Sequence, residues 1–85
     1  MKFTTLRNAK GEEIQGPILL TPNVFNDERG YFYESWNEKN FNKIIEKEVK
    51  FLQDNVSHSF KGVLRGLHYQ LEPEPQGKLV RCSYG

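Results

Sequence analysis

Arg65 and His68 are the residues of this 85-residue chain whose types best suit chemistry. They lie within residues 62–70, an apolar run that is typical of a buried β-strand. A strand built only for packing would carry Val, Ile or Thr at both positions. A guanidinium and an imidazole indicate instead that one face of a sheet lines a cleft. A single histidine in a strand is more often a hydrogen-bonded structural residue than a base, so this run leaves both interpretations open.

Two further predicted strands carry polar side chains where apolar ones would pack better. In residues 51–56, Gln53 and Asn55 share one face because side chains alternate along a strand. Lys78 begins the last predicted strand, residues 78–83. A single face bearing several such groups would make a poor core and a good pocket for an oxygen-rich ligand. The residues assigned to this face are Gln53, Asn55, His68, Gln70 and Lys78.

The spacing of Arg65 and His68 creates a difficulty for a shared site. Residues three positions apart point to opposite faces of a regular strand. Gly66 lies between them, and an interior glycine often marks a bulge or bend. We therefore predict a bulge or kink near Gly66, since regular pairing through residues 64–68 would keep the two side chains apart.

Composition excludes several classes of function. The chain has 12 Lys and Arg residues against 11 Asp and Glu residues, with no basic stripe, which argues against a nucleic-acid partner. It has no run of about 18 apolar residues and no signal-peptide pattern, so no membrane partner is expected. Cys82 is the single cysteine, which rules out an intramolecular disulfide. We expect a cytoplasmic protein.

The N-terminal half is predicted to hold a strand, a hairpin and a helix. Residues 1–16 are polar around a turn at residues 11–13, and a short apolar strand begins at Pro17. The turn residues 26–30 join Val24 and Phe25 to an aromatic strand over residues 31–36, as in a hairpin or the corner of a sheet.

One short helix is predicted over about residues 38–46. Asn37 can cap it, and Phe41, Ile44 and Ile45 fall on one face. Residues 71–77, with two prolines and a glycine, form a connector. Short strands with one helix and no repeated βα alternation indicate a mainly β fold, either a sandwich or a barrel.

The length allows one domain at most. Residues 78–85 are typical of a strand that runs into a glycine turn, and an unpaired strand is a liability that proteins normally cover. We therefore expect residues 1–85 to be the N-terminal portion of a single domain that is truncated after Gly85.

A metal site is not expected. In barrels of the cupin kind, two histidines separated by one residue bind iron, zinc or manganese. Here Gln70 occupies the position of the second histidine, and His58 is ten residues away from His68. A single imidazole supplies one ligand, whereas a metal site needs three or four good ones.

Four segments in order closely resemble the dTDP-4-dehydrorhamnose 3,5-epimerase family. They are FNDERGYF at residues 25–32, FLQDN at 51–55, GVLRGLHYQ at 62–70 and QGKLVR at 76–81. The resemblance covers the front half of family members. It implies a cupin-like jelly roll without a metal or other cofactor, usually a homodimer, that acts on a dTDP-linked 4-keto-6-deoxy sugar in L-rhamnose biosynthesis.

The resemblance also implies roles for individual residues. His68 matches the catalytic base, and Lys78 matches the cation beside the sugar O4. Arg65 would contact the pyrophosphate, and Gln53 and Asn55 would hydrogen-bond the ligand.

Arg29 and Glu34 resemble residues that reach the nucleotide end of the site, often across the dimer interface. Both have structural alternatives, since Arg29 could close the turn at Asp27 and Glu34 could be an exposed strand carboxylate.

Family members orient the base with an aspartate and reprotonate the opposite face of the sugar with a tyrosine. The positions that match both would lie beyond Gly85, so the 85 residues alone are expected to hold half a site and not to turn over. Three alternatives stay open: a related epimerase acting at C3 or C5 only or on another dTDP-keto-deoxysugar, a non-catalytic β module that binds sugar nucleotides or dimerises, and a metal-dependent cupin.

Overall fold

The computed structural model describes residues 1–71 and 77–85. It divides into two compact units, Met1–Asp54 and Asn55–Gly85. The first unit has four β-strands and one short α-helix. The described residues of the second unit form neither a helix nor a strand. The four strands and single helix of the first unit confirm the prediction of a mainly β chain with one short helix.

The first hairpin pairs β1 (Lys2–Arg7) with β2 (Glu13–Thr21) in antiparallel register, with a shift between Thr5 and Leu6. The predicted strand after Pro17 is the C-terminal part of β2. The polar residues 1–16, to which the sequence assigned only a turn, supply β1 and the start of β2. Backbone hydrogen bonds to β2 hold β1 in place, and Phe3 lies opposite Leu20 in this pairing.

The turn of this hairpin is organised by Asn8. Its Oδ1 accepts hydrogen bonds from the backbone N–H groups of Lys10 at 2.9 Å and Glu12 at 3.0 Å. Gly11 donates its N–H to the Asn8 carbonyl at 3.0 Å and has a φ of +81°, which glycine adopts without a Cβ clash.

The second hairpin pairs β3 (Val24–Asp27) with β4 (Gly30–Tyr33), from Val24 opposite Tyr33 to Asp27 opposite Gly30. This confirms the predicted hairpin. The aromatic strand ends at Tyr33 rather than at Trp36, because Trp36 belongs to the packing of the helix that follows.

The helix α1 spans Glu38–Ile45, close to the predicted bounds. Asn37 caps it as predicted, since its Oδ1 accepts a hydrogen bond from the Asn40 N–H at 3.0 Å. Glu46 ends it in the left-handed conformation, with a φ of 55°. Within the described residues, no helix has the length and apolar character that a membrane span requires.

Three aromatic rings pack together in the first unit. Phe41 of α1 is buried, and its ring centroid lies 5.0 Å from that of Trp36 and 5.6 Å from that of Phe51. Trp36 and Phe51 also meet edge to face at 5.3 Å. This cluster joins the segments before and after α1 to the helix itself.

The three strands predicted after residue 50 are wrong for the described residues. The segments 51–56, 62–70 and 78–83 have no strand pairing, and their apolar side chains, such as Val56 and Leu67, are exposed. Alternating or apolar side chains describe the faces of a possible strand, but a strand forms only where a neighbouring backbone supplies hydrogen bonds.

Because these strands are not formed in the described residues, the expectation that they share a polar face is wrong as well. Gly66 has a φ of +146°, a conformation that L-residues rarely adopt, but it does not interrupt a strand. Of the predicted connector at residues 71–77, residues 72–76 lie outside the described part of the chain.

Candidate functional site

Arg29 is held by Asp27 at the tip of the second hairpin. The backbone N–H of Arg29 donates to Asp27 Oδ1 at 2.8 Å, and its guanidinium donates to Oδ2 from Nη2 at 2.6 Å and from Nε at 3.2 Å. An Asx residue that accepts from the backbone two positions later forms a local turn. The structural alternative for Arg29, closure of the Asp27 turn, is therefore observed.

This pairing changes the acidity of the carboxyl group. Hydrogen bonds from the side chain and the backbone of Arg29 hold the pKa of Asp27 below its ordinary value of 3.8. Both groups remain open to solvent, with 88% of the Arg29 side chain and 49% of the Asp27 side chain exposed. The guanidinium is thus accessible, but its charge is already paired.

Glu34 follows β4 directly and contacts the cap of the helix. Its Oε2 accepts a hydrogen bond from Asn37 Nδ2 at 3.3 Å. Asn37 therefore uses its oxygen for the N-terminus of α1 and its amide nitrogen for Glu34. The carboxylate is exposed and lies beyond the end of the strand, not within it.

Arg29 and Glu34 line two open concavities that share a pair of aromatic residues. Arg29 and Asp27 line a concavity of about 490 Å³, and Glu34 lines another of about 300 Å³. Phe25 and Phe32, which are paired across the β3–β4 hairpin, line both. The hairpin therefore places Arg29 and Glu34 on either side of one cross-strand aromatic pair.

Arg65 is anchored within the second unit by neutral groups. Its Nε donates to Ser59 Oγ at 2.8 Å and its Nη2 donates to the His58 carbonyl at 3.0 Å. The side chain thus bridges back six and seven residues along the chain and closes a loop.

His68 and Lys78 are both exposed residues of the second unit. Within residues 1–71 and 77–85, no hydrogen bond or ion pair joins them to each other. Gln53 and Asn55 are also exposed, and they belong to different units, Gln53 to the first and Asn55 to the second. The structure thus brings Arg65 together with its own loop in the second unit and Arg29 with its own turn in the first.

Residues 11–85 match the family model described as dTDP-4-dehydrorhamnose 3,5-epimerase. The chain belongs to this family. The matched range contains all four segments on which the resemblance rests. No solved structure matches the chain.

Individual epimerases of the family are similar to this chain over most of its length. The chain is 59% identical over 73 residues to the dTDP-4-dehydrorhamnose 3,5-epimerase of Shigella flexneri, which covers 86% of this chain and 40% of the relative. It is 54% identical over 68 residues to that of Salmonella typhimurium, with 80% and 37% covered. For that of Mycolicibacterium smegmatis the identity is 35% over 77 residues, with 91% and 38% covered. The chain spans about two fifths of the length of these epimerases.

Within residues 1–71 and 77–85, no group of three or more His, Cys, Asp or Glu side chains is placed to hold a metal ion.

Two contacts, one made by Arg65 and one made by Glu34, were not predicted from the sequence. Nothing in the local pattern indicates that Ser59 would accept from Arg65, because the two are six positions apart in a segment without regular structure. Asn37 and Glu34 are only three positions apart, but the capping pattern predicts a contact for the side-chain oxygen of Asn37 and none for its amide nitrogen.

Proposed function

We propose that the protein epimerises C3 and C5 of dTDP-4-keto-6-deoxy-D-glucose to give dTDP-4-keto-L-rhamnose, as a step of dTDP-L-rhamnose biosynthesis. The observation that carries the proposal is the identity of 59% over 86% of the chain to a protein named dTDP-4-dehydrorhamnose 3,5-epimerase. The matched residues include every position to which a role was assigned.

The reaction needs two kinds of group from the protein. C3 and C5 both flank the C4 ketone, so loss of a proton from either carbon gives an enolate whose charge develops on O4. A base must take the proton, and a cation near O4 must stabilise the charge. Return of a proton from the opposite face then inverts the carbon.

His68 supplies the base in this proposal and Lys78 supplies the cation. Imidazole is the side chain best suited to proton transfer near neutral pH. A positioned general base typically contributes about 10²–10⁴-fold to the rate. Both side chains are exposed, which leaves their nitrogen atoms accessible to a bound sugar.

The remaining assigned residues bind the substrate. Arg65 contacts the pyrophosphate, for which a forked cationic donor is well suited. Gln53 and Asn55 hydrogen-bond the ligand. Arg29 and Glu34 reach its nucleotide end, and their position beside the Phe25–Phe32 pair supports this, since an aromatic surface next to polar groups suits a nucleobase.

The architecture that accompanies this function is a cupin-like jelly roll without a metal, in which residues 1–85 form the N-terminal portion of one domain. We expect a homodimer in the cytoplasm. The two antiparallel hairpins support this fold, because antiparallel strand pairs are its building units.

The test is deuterium incorporation from D₂O into dTDP-4-keto-6-deoxyglucose, followed by NMR with the purified protein. We expect exchange at C3 and C5 that is abolished in His68→Ala and retained in Lys61→Ala, which removes an exposed charge in the same unit. Exchange that survives His68→Ala would refute the assignment of the base.

Other outcomes identify the alternatives. Exchange at only one of the two carbons would indicate a 3- or 5-epimerase. Binding of dTDP without any exchange would indicate either that exchange needs the aspartate and tyrosine expected beyond Gly85, or that the protein is a non-catalytic module that binds sugar nucleotides.

A further inference from the structure

The two arginines that we assign to the substrate are held by groups of different charge. Arg29 is paired with the carboxylate of Asp27 at 2.6 Å. Arg65 is held by a hydroxyl oxygen, Ser59 Oγ at 2.8 Å, and by a backbone carbonyl, that of His58 at 3.0 Å. Only the first arrangement neutralises the guanidinium, so Arg65 keeps a full positive charge for an anion.

Arg65 also keeps most of its donors. A guanidinium has five N–H groups, and the contacts to Ser59 and His58 use one on Nε and one on Nη2. Within residues 1–71 and 77–85, the remaining three N–H groups, including both on Nη1, have no hydrogen bond. The free edge of the fork can therefore receive a phosphate while the other edge stays anchored.

Ser59 and His58, which accept the hydrogen bonds from Arg65, lie on a loop that has further internal contacts. The N–H of Val63 donates to the Phe60 carbonyl at 3.1 Å, which forms a turn between Ser59 and Arg65. The rings of His58 and Phe60 lie with centroids 5.4 Å apart. Ser59 stands between these two residues in the sequence, so the residue that accepts from Arg65 is flanked by two rings that lie close to each other.

We propose that Ser59 is a positioning residue that holds the guanidinium of Arg65 ready for the diphosphate of the nucleotide. The inference rests on the proposed function, because it takes the diphosphate of the sugar nucleotide as the anion. An arginine side chain that is already ordered loses less conformational entropy when the anion binds. Ser59 therefore strengthens nucleotide binding without itself contacting the reacting carbons.

The experiment measures affinity for dTDP by titration calorimetry and for thymidine, which lacks phosphates, by NMR titration. We compare the wild type with Ser59→Ala, Ser59→Thr and the matched control Ser57→Ala. Ser57 lies two positions earlier, is exposed, and has no hydrogen bond within the described residues. The purified protein is used throughout.

We expect Ser59→Ala to weaken dTDP binding about three- to tenfold, which corresponds to the net contribution of one typical hydrogen bond. Thymidine binding should be unchanged, since no phosphate is involved. Ser59→Thr keeps the hydroxyl and should keep the affinity for dTDP. Ser57→Ala should match the wild type.

A double variant separates positioning from a general structural effect. If Ser59 acts through Arg65, adding Ser59→Ala to Arg65→Ala causes no further loss of dTDP affinity. A further loss equal to that of the single variant would overturn the inference, as would equal affinities of Ser59→Ala and Ser57→Ala. A wild-type protein that binds no dTDP would instead overturn the proposed function, and the inference with it.

Discussion

Both the backbone and the side chain of Arg29 donate to one carboxylate, that of Asp27. The backbone N–H contacts Oδ1 at 2.8 Å and the guanidinium contacts Oδ2 at 2.6 Å. The arginine therefore closes the β3–β4 turn and, in the proposed function, also binds the nucleotide. A phosphate or a base that engages Arg29 must share it with Asp27 or displace it.

The first prediction concerns the pH dependence of this turn. Because Arg29 lowers the pKa of Asp27 below 3.8, the pairing stabilises the folded turn fully at pH values above the ordinary pKa. The stabilisation is lost as the pH falls through the lowered pKa. An NMR titration of the Asp27 carboxyl carbon should give a midpoint below 3.8.

Arg29→Ala is the control for this titration, and its Asp27 midpoint should move up toward the ordinary value. An Asp27 midpoint that is the same with and without the Arg29 side chain would show that the ion pair does not persist in solution.

The second prediction concerns the aromatic cluster of the first unit. Phe41→Ala removes the buried ring that contacts both Trp36 and Phe51 and should lower the free energy of unfolding by about 3 kcal/mol. Urea unfolding followed by circular dichroism measures this. Phe25→Ala is the comparison, because that ring is 64% exposed, and it should cost less than about 1 kcal/mol. Equal losses for the two variants would contradict the assignment of Phe41 as the core.

The third prediction concerns the cap of α1. Asn37→Ala removes the acceptor of the Asn40 N–H and the donor to Glu34, and should cost about 1 kcal/mol. Hydrogen exchange at the Asn40 amide should become faster. Asn37→Asp keeps the capping oxygen and loses the donor to Glu34, so it should retain most of the protection. Faster exchange in Asn37→Asp than in Asn37→Ala would contradict the capping role.

The fourth prediction concerns Lys78. Lys78→Gln removes the charge assigned to O4 and should lower the rate of deuterium exchange into the sugar by about 10²–10³-fold, the usual effect of losing one oxyanion donor. Affinity for dTDP should change little, because dTDP lacks the keto sugar whose O4 is assigned to Lys78. Lys61→Ala supplies the comparison for loss of an exposed lysine. A large loss of dTDP affinity with an unchanged exchange rate would place Lys78 at the nucleotide instead.

Local patterns in the sequence predicted the local structure well. The β3–β4 hairpin and the helix with its Asn37 cap depend on contacts between residues a few positions apart, and these are confirmed. The motif residues likewise identified the family.

The strands predicted after residue 50 failed because strand pairing depends on a partner that no local pattern specifies. Residues 62–70 have the composition of a strand, yet the contacts that Arg65 makes there are with Ser59 and His58, not with a neighbouring strand. The dependence of a strand on its partner also explains why β1 was not predicted. Its mostly polar residues show no strand pattern, yet they pair with β2. The roles of His68 and Lys78 stay predictions, since they depend on a bound sugar.

Trp36 is the single tryptophan of the chain, and it lies within the cluster formed with Phe41 and Phe51. Selective excitation of indole therefore gives a fluorescence signal that originates entirely in Met1–Asp54. The intensity and emission maximum of this natural fluorophore report on the packing around α1. No label needs to be attached to follow the folding of this unit by light.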